Sequence, residues 1–187
     1  CDIVCRGEGE YAMSDIAQAY AEGSPLTGIK SICYRRENKT IIEEMRPLIC
    51  DLDSLPYQDY GGNNKYFVDN GVENIDPMAS VRELRFLASR GCPFSCAYCY
   101  NSILKKLYQN EKYHRIKSVE SVISELEFTL SKFRKIKKIK FDDDTFIFPK
   151  DWVYEFCGKY KNRIGLPFEI LFNAECLDEE ILKELKA

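Results

Sequence analysis

The chain has 187 residues, with 27 Lys plus Arg against 30 Asp plus Glu, a formal net charge of −3, 45% hydrophobic and 30% charged residues. At roughly 150 residues per domain there is room for one complete core and a remainder, and so small a charge gives no global pull towards nucleic acid or an acidic membrane. The composition excludes a disordered chain, and no run approaches the roughly 18 consecutive apolar residues of a membrane-crossing helix. Nothing at the start reads as a signal peptide, so a cytoplasmic protein is expected. Both ends are expected to be cut: residue 1 is a cysteine opening directly into an apolar run, and the last residues read as a helix without a stop signal.

Residues 3–4 predict a strand, followed by the turn Gly7-Glu8-Gly9-Glu10 and a helix over 11–21 with Ile16, Ala17 and Tyr20 on one face. Glu8 and Glu10 read first as favourable charges near that helix N-terminus. Residues 29–34 and 40–43 predict a hairpin across the polar turn 35–39. From Pro47 to about Met78 periodicity lapses among Asp53, Pro56, Gly61, Gly62, Asn63, Asn64 and Pro77, and 56–78 is expected to be a linker.

Beyond it, strands and helices alternate. An apolar run at 84–88 ends at the stretch GCPFSCAYCYN, residues 91–101, with a helix expected to begin in or just after it. Ser118 is placed to cap a helix whose apolar residues Val119, Val122, Ile123, Leu126, Leu130 and Phe133 step by 3, 1, 3, 4 and 3. A strand at 139–141 runs into Asp142-Asp143-Asp144, a helix is expected around 152–160, and a strand at 168–172 runs into Asn173-Ala174-Glu175 before a last helix at 178–187. Such alternation predicts a parallel sheet with right-handed crossovers.

Nine cysteines is an odd number, and three of them, Cys92, Cys96 and Cys99, form CxxxCxxC while the rest are scattered. A disulfide framework fits this badly, whereas three thiolates from one loop suit a soft metal centre in a reducing compartment. Structural zinc wants four ligands, and here it lacks a second cysteine pair and meets a single histidine, His114. Three cysteines on a cluster that needs four leave one iron open to a substrate. Both metals, and buried or exchanging thiols, stay open on the residues alone.

In parallel sheets and barrels chemistry gathers at the carboxyl ends of the strands, and here all three ends are polar. Regular alternation means that Asp142, Asp143 and Asp144 cannot all face one way. Bland readings stand beside these: a solvated strand end for the aspartates, a solvated helix end for Lys132, Arg134, Lys135, Lys137, Lys138 and Lys140, a surface position for His114, and core for Trp152. Asn173 and Glu175 are secondary candidates for ligand contact.

CxxxCxxC after a strand, with an aromatic residue before the third cysteine, resembles the cluster loop of the radical S-adenosylmethionine (SAM) superfamily. RGCPFSCAYC (90–99) and FDDDTF (141–146) resemble the subclass that also carries a cobalamin-binding domain. DIVCRGEGE (2–10) and RPLICDLDSLP (46–56) resemble the end of that domain and its connection onward. The resemblance implies an α/β fold. The C-terminal tail of a Rossmann-like cobalamin-binding domain (1–55) would be followed by a linker (56–78). The N-terminal half of the radical SAM core (79–187) would follow as a partial TIM-like barrel of parallel βα units.

It further implies that Cys92, Cys96 and Cys99 hold three irons of a 4Fe-4S cluster and that the amino and carboxylate groups of SAM chelate the fourth. Reduction of the cluster would cleave the sulfonium to a deoxyadenosyl radical, and in the cobalamin subclass a methyl group is delivered to substrate. Tyr98 would pack near the adenine, and Asp143 and Asp144 would receive the SAM amino group, whose N–H donors want acceptors. The histidine motif that ligates cobalt would lie upstream of Cys1, so cobalamin is expected in the full-length protein. A small-molecule substrate and a reductant such as flavodoxin or ferredoxin are the expected partners, without nucleic acid. Two other readings are a zinc- or cluster-binding module without catalysis, and a methylthiotransferase acting on tRNA.

Overall fold

The computed structural model describes residues 1–60, 67–74, 80–146 and 149–186. Gly61, Gly62, Asn63, Asn64, Pro77 and Met78 of the expected linker, and Ala187 of the last helix, lie outside the described residues. The chain divides into two compact units, Cys1–Cys50 with Ser102–Tyr113, and Asp51–Asn101 with His114–Ala187.

In the first unit, β1 (Ile3–Cys5) pairs antiparallel with β2 (Ile32–Arg36), which forms the expected hairpin with β3 (Lys39–Ile42). Glu37 and Asn38 turn that hairpin at positive φ, 49° and 61°, as a two-residue connection demands. Helix α1 (Glu10–Glu22) buries Ala12 and Ile16 in a small core with Ile32 and Tyr34. Of the face read at 11–21 only Ile16 is buried; Ala17 is exposed and Tyr20 is 69% exposed, the buried positions of the helix being Ala12, Ile16 and Ala19. Two carboxylates fasten the segment after β3: Leu48 N–H donates to Glu111 and Ile49 N–H to Glu8, both at 2.6 Å. Glu8 therefore holds chain rather than only decorating a helix end. Gly7 stands at φ +84°, and a Cβ there would sit 2.1 Å from the Tyr108 hydroxyl, so no other residue fits.

The second unit is built on a three-stranded parallel sheet, β6 (Glu83–Phe86), β9 (Lys138–Phe141) and β10 (Phe168–Glu169), with β9 in the middle. Alternation sends Leu84, Phe86, Ile139 and Phe141 into the core against α3 (Val119–Lys132) and α4 (Lys150–Arg163). Phe141 is fully buried, with Phe86, Phe146, Phe156 and Phe168 all within 6.0 Å between ring centroids. The other face carries charge: Lys138 bridges Glu83 and Glu169 at 3.1 and 2.5 Å, and Lys140 meets Glu169 at 2.9 Å. These two lysines of the basic run thus belong to a paired ladder.

Ser118 caps α3, accepting Ser121 N–H at 3.1 Å. Asp178 does the same for α5 (Glu179–Lys186), accepting Ile181 N–H at 2.9 Å. Trp152 is core, its indole donating to the Lys117 carbonyl at 2.8 Å. Periodicity gave no sign of the short elements. These are a 3-10 turn at Leu52–Ser54, the hairpin β4 (Phe67–Asp69) with β5 (Val72–Asn74), and β7 (Ser89–Arg90) paired with β8 (Arg115–Ile116). Residues 51–60 are strapped to α3: Ser118 N–H donates to Asp53 at 2.9 Å, and Gln58 N–H to Glu125 at 2.8 Å. Glu125, 2% exposed, also pairs with Lys117. Among the described residues no helix is long and apolar enough to cross a membrane.

Candidate functional site

The site lies at the carboxyl end of the parallel sheet. Two residues beyond β6 the chain enters β7, and at Gly91, with φ +75°, it turns into the cysteine loop. Cys92 is buried and Cys96 and Cys99 are partly exposed, and none of the three is in a disulfide. The Cys96 carbonyl accepts the Cys99 N–H at 3.1 Å, closing CxxC into a tight turn. Helix α2 (Asn101–Leu107) follows at once, where a helix was expected.

The three aspartates after β9 go three ways, as alternation along a strand end requires. Asp142 pairs with Arg85 at 2.5 Å on the charged face. Asp143 is 1% exposed; it accepts Ala88 N–H at 3.2 Å and the Ser89 hydroxyl. Burial pushes its carboxyl up to about 6, against the pull of those hydrogen bonds. Asp144 is exposed and turns to the cysteine loop, accepting the Tyr100 hydroxyl at 3.3 Å and the Asn101 amide at 3.0 Å, one on each oxygen. The Tyr100 phenol is pushed up, first by burial at its contact and then by that carboxylate.

Asn101, 2% exposed, is the hub that the sequence reading missed. Its Nδ2 donates to Asp144 Oδ2 and also to Cys99 Sγ at 3.6 Å. The available signal was a polar residue two positions after the last cysteine, at the first turn of a helix. The aromatic Tyr98 stands 94% exposed on the loop. Asn173 is used locally, accepting Glu175 N–H at 3.0 Å to start a 3-10 turn at Ala174–Cys176. His114 is partly buried in the second unit.

Among the described residues no three His, Cys, Asp or Glu side chains are gathered into a group that could hold a metal ion. Cys92, Cys96 and Cys99 share one loop without forming such a group. The donor set nevertheless fits an iron–sulfur cluster with one open iron: three thiols on one loop, one of them already accepting a buried amide N–H, as electron-rich sulfur does. For cobalamin the fit fails in one respect, since the chain's one histidine is His114 and the first unit, Cys1–Cys50 with Ser102–Tyr113, offers no imidazole to cobalt.

No family model matches the chain. It is 32% identical over 188 residues to an uncharacterized methyltransferase of Pyrococcus horikoshii, covering 99% of this chain and 38% of that protein. It is 26% identical over 189 residues to the anaerobic magnesium-protoporphyrin IX monomethyl ester cyclase of Cereibacter sphaeroides, covering 98% of this chain and 28% of that one. Among solved structures it resembles the radical SAM methyltransferase TsrM of Kitasatospora setae with tryptophan and a SAM analogue bound, with TM-score 0.66 and 18% identity. That match covers 98% of this chain and 35% of TsrM. The cobalamin-dependent radical SAM enzyme OxsB with aqua-cobalamin and SAM bound gives 0.61 at 16% identity, covering 98% and 25%. The chain thus spans between a quarter and two fifths of each of these four proteins. The class read from the cysteine and aspartate motifs is the class of these two structural neighbours, TsrM a radical SAM methyltransferase and OxsB a cobalamin-dependent radical SAM enzyme, and the fold shared with them is a mixed α/β one with a parallel sheet.

Proposed function

We propose that this chain is the cluster-bearing part of a radical SAM enzyme, with Cys92, Cys96 and Cys99 as the ligands of a 4Fe-4S cluster. One observation carries the proposal: the CxxxCxxC loop hangs from the carboxyl end of the first parallel strand and is tied through Asn101 to Asp144 at the end of the second. When bound and reduced, such a cluster supplies the electron that cleaves SAM to a radical.

The chain's own residues position the reactants. Asp143 fixes the base of the loop through Ala88 and Ser89. Asp144 has one hydrogen bond on each oxygen, and a carboxylate offers about four lone-pair sites, so it can take the SAM amino group as well. Of the two carboxylates assigned to that group, Asp144 is the one open to it, while Asp143 acts from behind. Tyr98, exposed on the loop, offers its ring to the adenine.

The three parallel strands are proposed as the first part of a TIM-like barrel, in which sites form at this end of the sheet. For the longer protein, cobalamin-dependent methyl transfer to a small molecule is the proposed reaction, with cobalt's ligands supplied by residues other than those of this chain. A low-potential donor such as flavodoxin or ferredoxin would provide the electron, in the cytoplasm.

Anaerobic reconstitution with iron and sulfide tests the proposal. The expected content is about four irons and four acid-labile sulfides per chain, lost in Cys92→Ala, Cys96→Ala and Cys99→Ala. Stoichiometric zinc without sulfide would refute it and favour a metal-binding module.

A further inference from the structure

We propose that Asn101 is a positioning residue that sets the electron affinity of the cluster, by holding one amide N–H on the Cys99 sulfur while Asp144 holds the other. This rests on the cluster reading above. A primary amide has two N–H donors on one nitrogen, so the bonds to Cys99 Sγ at 3.6 Å and Asp144 Oδ2 at 3.0 Å use one hydrogen each. Asn101 is 2% exposed, which keeps water from competing for either hydrogen.

The bond to sulfur gains strength with the charge on the sulfur. A neutral thiol is a weak acceptor, whereas a thiolate on iron carries negative charge that grows when the cluster takes an electron. A fixed N–H therefore stabilises the reduced cluster more than the oxidised one and raises the reduction potential. Fixing matters because a freely rotating amide would pay orientation entropy for each bond. Asp144 prevents that rotation, and Tyr100 holds Asp144 by its other oxygen at 3.3 Å.

Asn101→Leu, close to Asn in shape, removes both donors; Tyr100→Phe loosens Asp144 but leaves the N–H on sulfur. Full chains of both variants and the wild type are reconstituted anaerobically and titrated with a reductant, the reduced cluster being read by electron paramagnetic resonance. Asn101→Leu is expected to bind the electron about tenfold more weakly, a shift of about 59 mV to more negative potential for a one-electron couple. Tyr100→Phe is expected to stay within about twofold of the wild type. Equal potentials for Asn101→Leu and wild type, or equal shifts in both variants, would overturn the proposal while leaving the cluster reading intact. If Asn101→Leu assembles no cluster, wild-type protein labelled with ¹⁵N-asparagine decides by hyperfine spectroscopy. A ¹⁵N coupling to the reduced cluster supports the proposal and its absence overturns it. A wild-type chain that assembles no cluster refutes the functional reading itself, before any variant is compared, and the present proposal with it.

Discussion

The buried carboxyl of Asp143 makes stability depend on pH in a direction opposite to that of most acidic groups. An ordinary aspartate titrates at 3.8, whereas burial pushes Asp143 up to about 6 against the opposing bonds from Ser89 and Ala88. At ~1.4 kcal/mol for each pKa unit, this gap makes the ionised form about 3 kcal/mol less favourable in the native state than in the unfolded one. Because the native pKa is the higher, the native chain binds more protons between pH 4 and 6. Its stability is fullest below the unfolded pKa and is lost as pH rises through about 6. Asp143→Asn removes the titration, and a rotated Ser89 hydroxyl can accept from the new amide. The single tryptophan, Trp152, is 8% exposed and stacked on Phe156 at 5.2 Å, so its fluorescence reports the core in urea titrations. Between pH 4 and 7.5 the wild type is expected to lose about 2–3 kcal/mol more than Asp143→Asn, the rest having gone by pH 4. Parallel profiles for the two proteins would refute the reasoning.

Three further perturbations test the fold by the same urea assay. Phe141→Ala empties the centre of the aromatic cluster and is expected to cost about 3–5 kcal/mol. Glu125→Ala strands the Lys117 ammonium, 12% exposed, and the Gln58 N–H, for a loss of about 3–5 kcal/mol. Gly7→Ala pushes a methyl against Tyr108 at a positive φ and is expected to cost more than about 1 kcal/mol, of which Tyr108→Phe in the same chain returns only the part due to the hydroxyl.

What could be read from the sequence was what local patterns write. The 3- and 4-residue steps from Val119 to Leu126 and the cap at Ser118 mark α3 because an amphipathic helix needs only its own face and its own end. The apolar runs that became β6, β9 and β10 mark themselves, and their polar ends mark the site. The cysteine triplet was plain because its three members lie within eight residues of one loop. What stayed hidden rests on pairs far apart: Asp53 with Ser118, Gln58 with Glu125, and Asn101 with Asp144. A side chain meeting a distant backbone or carboxylate leaves no period behind it. The same holds for β7 and β8, two residues each, too short for alternation to register. The division of labour among the aspartates was half legible: alternation required them to diverge, but only the fold shows Asp143 on Ser89 and Asp144 on Tyr100 and Asn101.

The most direct test of the central claim is electron paramagnetic resonance of the anaerobically reconstituted, reduced chain with and without SAM. The proposed open iron beside Asp144 predicts a 4Fe-4S signal that SAM alters in the wild type and that Cys92→Ala abolishes. A signal indifferent to saturating SAM, or a chain that binds zinc in place of any cluster, would contradict it.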